Sequence, residues 1–158
     1  MRARSSERGF TVIELIAVIV LIGVLAVVAL PRFEGALAQR SDHWRDQVLA
    51  ALRHAQSTAQ SHRRLVCASI ATGAVTLTIA SANPANSCDS TLPGPDADPR
   101  YAHDNRNIAT TVAPAGLLYF QPGGRIASDG AGLTAADRSI AIDGQTAIAV
   151  TGETGHVR

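Results

Sequence analysis

Residues 8–33 read RGFTVIELIAVIVLIGVLAVVALPRF. From Phe10 to Leu30 the run holds 21 residues, and Glu14 is the single ionisable one among them. A helix rises roughly 1.5 Å per residue, so this run reaches about 31 Å, close to the bilayer's hydrocarbon thickness of about 30 Å. A secreted leader is the bland rival, and Ala36-Leu37-Ala38 has the small-residue pattern of a cleavage site. Its apolar region would be shorter, about 7–15 residues, and an acid near its start does not belong there. Residues 10–30 are therefore expected to form a transmembrane helix.

Charge sets the orientation. Arg2, Arg4 and Arg8 precede the run, against one acid, Glu7. Positive flanks stay cytoplasmic, so the chain beyond Pro31 is expected across the membrane, which in a bacterium is the periplasm. The predicted topology is single-pass in the inner membrane, with a cytoplasmic N-terminus and a periplasmic C-terminal domain.

An acid at membrane depth is costly and is usually paired. The run itself supplies no Lys, Arg or His, so a neighbouring chain must. A cut after Gly9 would give Phe10 a new α-amino group, able to meet Glu14 of another subunit. A cut followed five residues later by a carboxylate describes a device for lateral assembly.

This stretch resembles the class III signal of type IV pilins and pseudopilins. The resemblance implies a prepilin peptidase that cuts between Gly9 and Phe10 and methylation of Phe10. It also implies an assembly role for Glu14 and a helix-kinking role for Pro31. Residues 1–9 would be the leader.

The rest of the chain fits one small domain. Formal charge is +1 for 158 residues, and every basic side chain is Arg. Without residues 1–9, eleven Arg face twelve acids. A general nucleic-acid binder would be far more basic.

After Pro31 the helical period continues. Leu37, Trp44, Val48, Leu52, Ala55 and Ala59 recur at three- or four-residue steps, with Ser41 filling the gap. That predicts an amphipathic periplasmic helix over 31–63, bent rather than stopped at Pro31. From residue 64 the pattern alternates and turns β-rich. LVCASIATGAVTLTIAS (65–81) reads as a hairpin around Thr72-Gly73, and SIAIDGQTAIAV (139–150) as another around Asp143-Gly144. NIATTVAP and GLLYFQPGGRI read as strands, TGETGHVR as a last short one, and 82–106 as a long loop. The fold class is α+β: one long helix packed on an antiparallel sheet.

Cys67 and Cys88 fall on the side where disulfides persist. A bridge would close a loop of about 20 residues, worth roughly 3 kcal/mol in the chain-entropy model. Compartment and spacing favour it over two free thiols.

The second half resembles the GspH/FimT group of minor pseudopilins and pilins. Phe120, Pro122, Gly124 and Arg125 fit that group's Phe-x-Pro-x-Gly-Arg turn, and Thr154, Gly155 and Val157 fit its terminal segment. VLAALRHAQ (48–56) fits its helix end less specifically. The resemblance implies a minor subunit in the periplasmic filament of a type II secretion or type IV pilus machine, at or near the tip. Its partners would be other minor and major subunits, the prepilin peptidase and the inner membrane. The alternative is a FimT-like DNA-uptake subunit. Some members carry a Gly-Arg-x-Arg tail; here it reads Gly155-His156-Val157-Arg158, which leaves Arg158 as the one matching DNA contact. DNA is therefore not an expected partner.

No catalytic role is expected. His43, His54, His62, His103 and His156 accompany no hydrolase or metalloprotease motif. His62-Arg63-Arg64 reads as a solvated helix end with favourable dipole placement. Asp96, Asp98 and Asp104 offer oxygen ligands, but their spacing does not match an EF-hand. They read as solvated loop acids, and no metal or cofactor is expected.

Overall fold

The computed structural model describes residues 11–158, with side chains for all of these except 27–38. Gly9, Phe10 and the Pro31 side chain lie outside the described residues. The chain divides into two units, Met1–Gln39 and Arg40–Arg158.

Helix α1 (Val12–His62) continues through residue 31. Over residues 11–26 every side chain is exposed, including Val12, Ile13, Leu21 and Leu25. Among the described residues no helix is long and apolar enough to cross a membrane. Residue 10 and the side chains of 27–30, which complete the expected span, lie outside that description.

In the second unit α1 behaves as its sequence period dictates. Trp44, Val48, Leu52, Ala55 and Ala59 are buried, and Ala51 and Thr58 widen the stripe. Arg53, Ser57 and Gln60 face solvent. The helix ends with Arg63 in the left-handed region at φ 52. Arg63 N–H donates to Gln60 C=O at 3.4 Å and Arg64 N–H to Ala59 C=O at 3.1 Å. These are the two bonds of a Schellman cap, which satisfies carbonyls left over by the last turn. Leu65 is then buried, and the chain turns into β1.

The strands are β1 (Val66–Ala71), β2 (Ala74–Ile79), β3 (Ser90–Leu92), β4 (Ala102–His103), β5 (Thr110–Ala113), β6 (Leu118–Phe120), β7 (Ile126–Ala127), β8 (Arg138–Ile142) and β9 (Ile148–Val150). They form two antiparallel sheets. One has the order β3-β2-β1-β6-β7, with β4 also paired to β2; the other is β5-β8-β9. Both expected hairpins are present: β1–β2 pairs Ala71 with Ala74, and β8–β9 pairs Ile140 with Ile148. Gly73 closes the first turn at φ 67, a backbone conformation that side chains with a Cβ resist. Residues 82–106, expected as loop, contain β3 and β4, which are three and two residues long. Neither has an alternating pattern of its own; pairing with β2 makes them strands.

The single expected sheet is split in two. Ile126 ties the halves together: its N–H donates to Gly152 C=O at 2.7 Å, and its C=O accepts from Ala136 N–H at 2.9 Å. Between the helix stripe and the sheets lie Val66, Ala68, Val75, Leu77, Leu118, Phe120, Ile140, Ile142, Ile148 and Val150. A fully buried Val, Leu, Ile or Phe is worth about 1.5–3 kcal/mol relative to exposure. This cluster therefore supplies most of the domain's cohesion.

One polar contact lies inside that core. Trp44 Nε1–H donates to Thr110 Oγ1 at 2.8 Å, and Thr110 Oγ1–H donates to Ile108 C=O at 3.0 Å. The pair fixes the helix against β5. Thr110→Val keeps the shape but strands the indole N–H, so it should cost about 1–3 kcal/mol. Thr111→Val, on the exposed face of the same strand, should change stability little. Urea denaturation of the detergent-solubilised chain, followed by circular dichroism, measures both.

Candidate processing and assembly site

Glu14 sits in the first turn of α1. Thr11 precedes that turn and forms a reciprocal pair with it. Thr11 N–H and Oγ1–H donate to Glu14 Oε2 at 3.1 and 3.0 Å, and Glu14 N–H donates to Thr11 Oγ1 at 3.4 Å. This is a capping box, in which Thr at the N-cap and Glu three residues on satisfy each other's backbone donors. The sequence signal was present as Thr-x-x-Glu but was masked by the apolar run. In the single chain the carboxylate is thus held at the helix start, three residues beyond Thr11 and four beyond Phe10 in sequence.

Cys67 and Cys88 are bridged, with Cα atoms 6.1 Å apart. Cys67 lies on β1 between Val66 and Ala68, which belong to the helix-facing core. Side chains alternate along a strand, so Cys67 points to the opposite face. There it joins Leu65, Ala80, Ala85 and Tyr119 in a second small cluster.

The turn and tail expected from sequence come together. Gln121 N–H donates to Arg125 C=O at 2.8 Å and Gly124 N–H to Gln121 C=O at 2.9 Å, closing the Pro122–Gly124 turn. Thr151 N–H donates to His156 C=O at 2.9 Å, and Arg158 and Ala149 exchange backbone bonds at 3.0 and 2.9 Å. The expected last strand is reduced to an isolated antiparallel bridge, Val157 opposite Val150, with Val157 buried. Gly155 touches the turn directly: a Cβ there would collide with the Gly124 carbonyl oxygen and with Gln56 of α1, and its φ is 67. Arg125 reaches across to Glu153, Nε to Oε2 at 3.1 Å and Nη2 to Oε1 at 3.2 Å. Arg158, the residue named for a DNA contact, has its backbone bonded to Ala149 while its side chain is exposed.

Two of the three expected loop acids, Asp98 and Asp104, are engaged locally. Asp98 accepts from Arg100 Nε and Nη2, both at 3.1 Å, and from Arg100 N–H at 2.7 Å. These bonds, with the guanidinium charge, hold the Asp98 carboxyl down to about 2. Asp104 Oδ2 accepts from the N–H groups of Arg106 and Ile108, both at 3.2 Å. Asp96, Asp98 and His103 line a cleft of about 210 Å³ against Gln47 and Ala50 of α1. Beside it the Tyr101 ring stacks on His54, centroids 5.0 Å apart. Among the described residues no group of three or more His, Cys, Asp or Glu side chains converges to hold a metal.

Residues 4–30 match the family model described as the prokaryotic N-terminal methylation motif. The match supports the type IV pilin and pseudopilin class, with processing by prepilin peptidase, assembly with other pilins, and a pilin-type N-terminal anchor in the inner membrane. No curated protein and no solved structure matches the chain.

Two outcomes follow from this geometry. Gly155→Ala combines a positive φ with a backbone collision and should cost about 2–5 kcal/mol; Gly123→Ala, where a Cβ would meet nothing within 4 Å, should not. Thermal unfolding distinguishes them. Carbon-detected titration should find Asp98 ionising at about 2, and Arg100→Ala should return it toward the ordinary carboxylate value near 4. Because the folded value is depressed, the contribution to stability is present above the ordinary range and is lost as pH falls through about 2.

Proposed function

We propose that this chain is a minor pilin or pseudopilin subunit of the GspH/FimT type. It is inserted as a precursor, cut between Gly9 and Phe10, methylated at Phe10, and built into a periplasmic filament of a type II secretion or type IV pilus machine at or near its tip. The observation that carries the pilin and pseudopilin part of this reading is the methylation motif over residues 4–30. The apolar helix start and the engaged turn and tail support it. The role is structural rather than catalytic, and the domain of residues 40–158 faces the periplasm.

In this reading Glu14 has two successive uses. Before assembly the Thr11 bonds satisfy its carboxylate and offset part of the cost of an acid at membrane depth. In the filament the same carboxylate meets the Phe10 amine of a neighbour. Two unit charges about 4 Å apart at an effective dielectric near 20 attract by about 4 kcal/mol before desolvation is subtracted. Glu14→Ala should leave membrane insertion intact, since it makes the helix more apolar, and should sharply reduce co-purification with other filament subunits. Normal co-purification of Glu14→Ala, with membrane fractionation as control, would contradict the assembly role.

A further inference from the structure

The segment 82–88 is closed at its neck by more than the disulfide. Ser81 N–H donates to Asp89 Oδ1 at 2.7 Å, Ser81 Oγ–H donates to Asp89 Oδ2, and Asp89 N–H donates to Ile79 C=O at 3.3 Å. One carboxylate thus holds both donors of one residue across an eight-residue separation. Strand pairing starts immediately beyond, with Ile79 opposite Ser90. On the other side of β2, Ala80 N–H donates to Leu65 C=O at 2.9 Å and closes the β1–β2 hairpin. Cys88 is the residue next to the clasp, and its Sγ lies 3.6 Å from Leu65 C=O. Cys67 is already docked in the outer cluster with Leu65 and Ala80.

We infer that the Ser81–Asp89 clasp is a positioning device for the disulfide. It closes segment 82–88 whether or not Cys67 and Cys88 are joined, and so presents the Cys88 thiol to Cys67. The entropy of closing the 21-residue separation between the cysteines is then largely spent by hairpin and clasp before sulfur chemistry begins. In the reduced chain the Cys88 S–H keeps an acceptor, Leu65 C=O. The Ser81 bonds also hold the Asp89 carboxyl below its usual value, so the clasp is fully ionised at neutral pH.

With oxidised glutathione the chemistry balances as follows. The Cys88 thiolate attacks one glutathione sulfur and releases one glutathione thiolate. The Cys67 thiolate then attacks the Cys88 sulfur of the mixed disulfide and releases the second. Two protons leave the protein thiols, the protein loses two electrons, and one glutathione disulfide becomes two thiols.

The test measures the thiol–disulfide equilibrium of the full chain in detergent against glutathione buffers at pH 7. Asp89→Asn, Ser81→Ala and wild type are compared. The expected result is a drop of about tenfold in the effective concentration of the two thiols for Asp89→Asn, and a smaller drop for Ser81→Ala, which keeps the backbone donor. Hydrogen exchange on a Cys67→Ser/Cys88→Ser chain should show residues 82–90 protected with Asp89 present and released in Asp89→Asn, while protection of β8 and β9 is unchanged. Equal effective concentrations in all three chains would overturn the proposal. So would unfolding of the reduced wild type, or equal loss of protection throughout the domain.

Discussion

One stripe of α1 is the surface on which both sheets close. Trp44, Val48, Ala51, Leu52, Ala55 and Ala59 are all buried, and each sheet contributes an inner face to them. The β5-β8-β9 sheet presents Ile140, Ile142, Ile148 and Val150; the larger sheet presents Val66, Ala68, Val75, Leu77, Leu118 and Phe120. A three-stranded sheet with one apolar face gains little alone, so the helix is what makes two modest sheets into one core. Alanines at three of the six stripe positions leave room for the backbones to approach. The hydrogen bond from Trp44 to Thr110 then fixes which part of the stripe meets β5.

The same helix carries a second demand over residues 11–26. There the side chains are exposed all round, and most are large and apolar. A helix apolar on every face belongs in lipid or among other apolar helices. The capping box between Thr11 and Glu14 reconciles that demand with an acid, because the carboxylate replaces water for donors that the first turn leaves free. The tail obeys similar logic at the other end of the sequence. Its backbone bonds to β9, and Gly155 is wedged against the Pro122–Gly124 turn, so these residues are explained by packing before any partner is invoked.

Much of this was legible in the sequence, for identifiable reasons. The stripe on α1 follows a 3.6-residue period, and the two long hairpins combine strict alternation with Gly-containing turns. Each of those signals is local. What escaped was set by distant partners. β3 and β4 are too short to alternate and exist through pairing with β2. The split into two sheets depends on Ile126 bonding to Gly152 and Ala136. Arg63 took a left-handed cap where a glycine would be the usual signal. In the candidate site, the cysteines and the turn and tail motifs were readable one by one. The meeting of turn and tail at Gly124, Gly155 and Gln56 was not, since no pattern links residues 56, 124 and 155. The Thr11–Glu14 box follows the local Thr-x-x-Glu pattern at the start of an apolar run.

In the proposed function a two-step modification, loss of residues 1–9 followed by methylation of the new amine, turns a precursor into a subunit. Intact-mass analysis of the chain isolated from membranes with its native peptidase measures it directly. The predicted result is a single species that begins at Phe10 and carries one added methyl group. A chain retaining Met1, or one beginning near Gln39 after cleavage at Ala36-Leu37-Ala38, would contradict it.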